Sequence, residues 1–209
     1  MASPGIKSLV LVVALCSCLK LMGQMTLLEG DLLFCCTDSA NVITAVTTGV
    51  DNYPIDHVGV AHRIGGEEGP FYVIEAVKPA VRLISLDKFL CDNPLVLVGR
   101  VNVDYDVRSS ARGCLRMVGK PYDDLYLPGD SAIYCSELVQ RCYVTHDGQQ
   151  VFSTIPMSFH DATGQVTDYW RQFYDQHGML VPEGEQGTNP GELSRRQQVT
   201  ILGKYPIIL

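Results

Sequence analysis

The chain has 209 residues, 46% of them hydrophobic and 19% charged, with 16 Lys and Arg against 23 Asp and Glu and a net charge of −7. That length suits one domain with a sizeable core, and the composition excludes a disordered tail. An acidic chain with no basic stripe repels phosphate backbones, which excludes nucleic acid as a partner.

Lys7 precedes the apolar run Leu9-Val10-Leu11-Val12-Val13-Ala14-Leu15-Cys16, and Lys20 follows it. The run is too short to span a bilayer and fits the apolar core of a signal peptide. Residues 1–23 therefore read as a signal peptide or lipoprotein leader, and 24–209 as a single domain. A buried N-terminal strand or helix fits less well, because nothing polar alternates within the run. Leu15-Cys16-Ser17-Cys18 loosely resembles a bacterial lipoprotein box with Cys18 as the lipidated residue; removal after Gly23 is the ordinary alternative. The expectation is export, either periplasmic or anchored in a bacterial envelope through Cys18, the one membrane contact foreseen. A start at Met22 or Met25 would instead leave the protein in the cytoplasm.

Gly30-Asp31 is a turn running into the apolar strand Leu32–Cys35. Asp38 or Ser39 is placed to cap a helix through Val42-Ile43 and Ala45-Val46, ended by Gly49. Tyr53-Pro54-Ile55-Asp56 reads as a loop before the strand His57–His62, and Arg63–Pro70 as a second loop before the strand Phe71–Ala76. Further strands are expected over Val81–Leu86 and Leu95–Val103, with a short helical piece beginning at Asp87. A helix over Ser109–Val118 is stopped by Gly119 and Pro121. Thr167–His177 is amphipathic, with Trp170, Phe173, Tyr174 and His177 on one face, and Gly178 closes it. Pro182–Gly191, rich in Gly, Pro and Glu, reads as a surface loop before a last strand near Val199–Leu202. Several strands in an antiparallel sheet with helices on one side make an α+β layout.

The chemistry concentrates in Ser131–Tyr143. Turn residues from Gly119 to Asp130 precede it, and Leu138, Val139, Cys142 and Tyr143 follow at helical spacing, so Cys135 falls in the first turn of a helix emerging from a loop. A thiol there faces unpaired N–H groups and the positive helix end, which favour thiolate, and the same N–H groups can hold an oxyanion. The plainer alternative is a buried cysteine acting as a small hydrophobe.

Its base comes from a hairpin. If the hairpin of strands His57–His62 and Phe71–Ala76 folds symmetrically about Gly66, His57 and Glu75 face each other on one side of the sheet. The carboxylate then takes one imidazole N–H and leaves the other nitrogen for Cys135, the orienting role of a third triad member. A slip of one residue would part the two, and a mere surface contact is the ordinary alternative. His62 points to the opposite face of its strand, His177 suits a helix C-terminus, and His146 and His160 read as loop residues.

Beyond the leader the cysteines are Cys35, Cys36, Cys91, Cys114, Cys135 and Cys142. None forms a CxxC pair or a Cys/His cluster with zinc-ligand spacing. Cys135 and Cys142 on one helix are separated by about 10 Å of rise, beyond disulfide reach.

Gly30-Asp31-Leu32-Leu33-Phe34, His57-Val58-Gly59-Val60, Ile74-Glu75-Ala76 and Tyr134-Cys135-Ser136-Glu137-Leu138-Val139 occur in that order. Together with Gly119-Lys120-Pro121-Tyr122-Asp123 and Gly187–Gly191, this order resembles the circularly permuted papain-fold enzymes, the NlpC-related amidases and peptidases, especially their YiiX-like branch. The resemblance spans about Gly30 to Ser194 and implies an α+β permuted papain-like fold in which histidine and carboxylate precede the cysteine. It implies Cys135 as nucleophile, His57 as base and Glu75 as orienter, with Tyr134, Ser136 and Tyr122 in the substrate pocket. The implied substrates are small peptides, cell-wall peptides or N-acyl amino acids, whose amide bond is hydrolysed through a thioester. The cysteine chemistry that the resemblance implies requires no metal or organic cofactor. The alternatives are a thioesterase or acyltransferase acting on lipid acyl groups, and a binding module with an inert Cys135.

Overall fold

The computed structural model describes residues 25–205. The leader expected over 1–23, with Cys18 and Met22, lies outside the described residues. Among the described residues there are eight strands: β1 (Leu32–Cys36), β2 (Ile55–Arg63), β3 (Phe71–Ala76), β4 (Val81–Ser85), β5 (Val96–Val101), β6 (Ile155–Pro156), β7 (Gln186–Gly187) and β8 (Val199–Lys204). All but β6 and β7 form one antiparallel sheet in the order β4-β3-β2-β1-β5-β8. The helices are α1 (Leu86–Asp92), α2 (Val107–Arg116), α3 (Cys135–Cys142), α4 (Asp168–Gln176) and α5 (Pro190–Leu193).

The helices do not keep to one side of the sheet. Leu32, Phe34, Val60 and Ile74 pack against Leu138 and Val139 of α3 and Cys114 of α2. Leu33, Ala61, Val73 and Val98, on the other face, pack against Phe89 of α1. With both faces covered, every residue of β1 is buried, which explains its unbroken apolar run Leu32–Cys36, a pattern that alternation cannot assign to a face.

Most helices begin on the caps their sequences supply. Ser85 accepts from the Lys88 N–H, Asp106 from Ser109 and Thr167 from Trp170. The expected helix from Asp38 to Gly49 does not form. Asn41, rather than Asp38 or Ser39, accepts from the N–H groups of Ile43 and Thr44, and the chain makes a turn over 42–46 before a short 3₁₀ segment at Val50–Asn52. Val42, Ile43, Thr44, Val46, Thr47 and Thr48 are β-branched and lose side-chain freedom in a helix, so a single cap does not propagate.

The stretch Pro182–Gly191 is not simple surface either. β7 pairs with β6, Asn189 caps α5 by accepting from the Glu192 N–H at 2.6 Å, and Thr188 is buried. β8 closes the free edge of β5.

Candidate active site

Cys135 is the first residue of α3, following Tyr134 in extended conformation (φ −105°, ψ 174°). The Glu137 carboxylate reaches back to the Tyr134 N–H at 3.4 Å and is held by Arg141 at 2.7 Å. The Cys135 N–H donates to no backbone carbonyl, leaving it free to act as a donor at the helix start. The helix is buried along nearly its whole length, from Cys135 through Gln140 and again at Cys142.

His57 stands beside a β-bulge. Cys35 pairs with His57 and Cys36 with Ile55, so Asp56 is the extra residue of β2. The bulge breaks strict alternation: Ile55 and Val58 both enter the core against α3, while Asp56 and His57 are turned out of it. Across the hairpin, Val60 pairs with Ile74 and Arg63 with Phe71. Continued one step, this register sets Glu75 opposite Gly59 rather than opposite His57. The displacement is an even number of residues, so the face is preserved, and a long side chain spans the diagonal. His57 Nε2 lies 2.6 Å from Glu75 Oε2.

Glu75 is 1% exposed. It tolerates burial because a second cation meets its other oxygen: Arg82, its partner across β3 and β4, donates from Nε to Oε1 at 2.8 Å. Burial pushes the Glu75 carboxyl up, but the hydrogen bonds from His57 and Arg82 outweigh it and hold the group below the usual carboxylate range. Burial likewise pushes His57 down; hydrogen bonding with Cys135, then with Glu75, overcomes this and raises the imidazole to about 10. Since Glu75 occupies Nε2, Nδ1 is the nitrogen left for the Cys135 sulfur.

Two cavities meet here. One holds Cys135 and Asp56 against an apolar wall that includes Ile43, Val46, Met157, Phe159 and Trp170. The other holds His57, with Lys78 and Asp124 at its rim. Tyr122 and Tyr126 line both, their hydroxyls 3.4 Å apart. Burial first, then the neighbouring Cys135, drives the Tyr122 hydroxyl well above the usual phenol range, so it stays a donor.

Of the three expected pocket residues, Tyr122 lines the cleft most openly. Tyr134 is buried: its oxygen accepts from the Thr188 N–H at 2.9 Å, and its ring meets Tyr126 edge-on at 5.2 Å. Ser136 is fully buried and shares a hydroxyl contact with Thr188 at 2.9 Å. The segment around Thr188 thus locks the start of α3. Its neighbour Gly187 packs closely here: a Cβ there would lie 2.4 Å from Met157 Sδ and 2.8 Å from Tyr134 Oη, so those side chains would have to shift.

The other histidines go elsewhere: His62 binds Glu29 at 2.7 Å, His146 lies 3.3 Å from Asp104 and His160 lies 3.1 Å from Glu183. The His177 ring lies 2.7 Å from the Phe173 carbonyl.

The model of a family described as permuted papain-like amidase enzymes, YaeF/YiiX, matches residues 26–203. The chain belongs to this family. Among solved structures, the metalloprotein yiiX from Escherichia coli O157:H7 superposes with a TM-score of 0.65 at 22% identity, over 84% of this chain and 96% of that one. At that identity the likeness speaks for the fold, and it bears out the permuted papain-like α+β architecture. No curated protein matches this chain. The candidate residues stand in the permuted order: β2 and β3 carry His57 and Glu75 ahead of the helix that carries Cys135.

Asp56, Arg82 and Thr188 escaped the sequence reading. Arg82 had a legible signal: a tight turn centred on Lys78-Pro79 sets Glu75 opposite Arg82. Asp56 had none, because a bulge leaves no mark in a run of alternating residues.

Proposed function

We propose that this chain hydrolyses an amide bond of a small peptide, cell-wall peptide or N-acyl amino acid, with Cys135 as nucleophile, His57 as acid–base and Glu75 as orienter. The observation that carries this reading is the His57–Glu75 contact of 2.6 Å, on an imidazole that Cys135, the first residue of a helix, lies near enough to raise. Sulfur attacks the carbonyl carbon, and the oxyanion forms facing the Cys135 N–H, with the Tyr122 hydroxyl as a second donor. His57 gives its proton to the leaving amine as the C–N bond breaks, leaving a thioester. His57 then removes a proton from water, whose oxygen attacks the thioester and releases the acid and the thiol.

The E. coli structure is described as that of a metalloprotein. Among the described residues of this chain, no three His, Cys, Asp or Glu side chains gather to hold a metal ion. The donor set among these residues does not fit one. An exported or lipid-anchored protein would meet its substrate in the bacterial envelope.

The test is a pH-dependent alkylation map of all cysteines, read by mass spectrometry. Cys135 is expected to react with iodoacetamide at mildly acidic pH, where ordinary thiols are protonated, and His57→Ala to abolish that advantage. A Cys135 no more reactive than Cys91 would return the chain to a binding module. The apolar wall beside Cys135 favours a second reading, a thioesterase or acyltransferase on lipid acyl groups. A stable acyl-enzyme formed from lipid esters but not from amides would select it.

A further inference from the structure

Among the described residues, the cavity that holds Cys135 carries a single carboxylate, Asp56, and no lysine, arginine or histidine. Two observations make that charge unusual. First, the β-bulge in β2 is what turns Asp56 away from the core and sets it beside His57, one side chain in each cavity; bulges next to active sites re-aim side chains in this way. Second, Asp56 makes no ion pair among the described residues. Its one side-chain partner is the neutral Asn41 amide, 2.6 Å from Oδ2. A carboxylate has about four acceptor sites, and this one lies half-buried beside an apolar wall, where an unpaired charge is costly.

We propose that Asp56 binds a protonated amine on the acyl side of the substrate, so that the enzyme acts on aminoacyl or short peptidyl units with a free amino terminus and an apolar side chain. This deepens the reading of Cys135 as nucleophile and rests on it. The side of the substrate follows from the chemistry. The acyl carbon becomes bonded to Cys135, so the groups attached to that carbon enter the cavity of Cys135 and Asp56. The leaving amine receives its proton from His57 and departs through the adjoining cavity, where Lys78 and Asp124 form a polar rim. An amine set against Asp56 gains a charge-assisted hydrogen bond, while the apolar wall takes the side chain. A plain fatty acyl chain would leave Asp56 unpaired, and a capped amine would do the same.

The experiment needs no known substrate. Leucine chloromethyl ketone and its N-acetyl derivative are compared at pH 6, where the free amine is protonated. The Cys135 sulfur displaces chloride: the C–S bond forms, the C–Cl bond breaks and chloride leaves. Labelling of Cys135 is followed by mass spectrometry, each rate being divided by that with glutathione and by the same variant's iodoacetamide rate. The free-amine reagent is expected to be favoured by about tenfold or more. Asp56→Asn is expected to bring the ratio to about one, and Asp56→Glu to keep a preference for the free amine. A wild-type ratio near one, or a preference that survives in Asp56→Asn, overturns the proposal while leaving Cys135 as nucleophile. Failure of iodoacetamide to label Cys135 at all overturns the parent reading instead.

Discussion

Glu75 holds two cations at once, the His57 imidazole on Oε2 and the Arg82 guanidinium on Oε1. A carboxylate this buried survives ionised only with such partners. Glu75→Gln keeps the shape but loses the charge that steadies the imidazolium, and is expected to lower turnover by about 10²–10⁴-fold without unfolding the protein. A global loss of stability, seen by circular dichroism, would make Glu75 structural. Arg82→Met acts one step further out. Without the guanidinium the Glu75 carboxyl rises, so the acid limb of the pH–activity profile is expected to move to higher pH, and Arg82→Lys to restore part of the shift. An unmoved limb would reduce Arg82 to a strand contact. At this scale the sequence was a good guide to identities and faces but not to register. His57 and Glu75 share a face because side chains alternate in a hairpin, and that survives a displacement by an even number of residues. The bulge at Asp56 is invisible in sequence, because an extra residue costs nothing until the partner strand is known.

α3 is the element around which the site is assembled, and it is legible for a simple reason: turn residues precede it, and its periodic apolar residues end at Tyr143. α4 was equally readable, its buried Trp170 and Tyr174 lying at the expected spacing. Irregular segments were not. The β-branched stretch after Asn41 folds as a turn that supplies Ile43 and Val46 to the cavity wall, and the Gly- and Pro-rich segment around Thr188 looks like surface but is buried against Tyr134 and Ser136. Composition reports how easily a segment bends, not what it packs against. The Tyr134–Thr188 contact gives a test of that packing. Tyr134→Phe deletes the acceptor for the buried Thr188 N–H and is expected to cost about 1–3 kcal/mol in urea melts. If the hydrogen bond also sets the angle of α3, the Cys135 alkylation rate falls with it. Unchanged stability would mean that water replaces the phenol there.

Over the described residues, both faces of one sheet are covered, and β2 and β3 meet the buried helix that begins at Cys135, so the energetics of the site and of the fold are linked. His57 is the clearest link. Its imidazole is raised from its ordinary value of 6.5 to about 10 by Cys135 and Glu75. A raised histidine adds stability that is fully present below its unfolded value and is lost as pH rises through its folded value. Glu75, held low by His57 and Arg82, adds stability that is present above its unfolded value and is lost as pH falls through its folded one. The protein is therefore expected to be most stable in mildly acidic solution, between the ordinary carboxylate and imidazole ranges, and to lose stability progressively from about pH 6.5 to about 10. Cys135→Ala removes the largest contribution raising His57, so the alkaline decline should become shallower, with less stability to lose on that side. Urea melts of wild type and Cys135→Ala at a series of pH values read this directly. Parallel curves across the alkaline range would mean that sulfur and imidazole do not interact in the folded protein, and the proposed chemistry would lose its base.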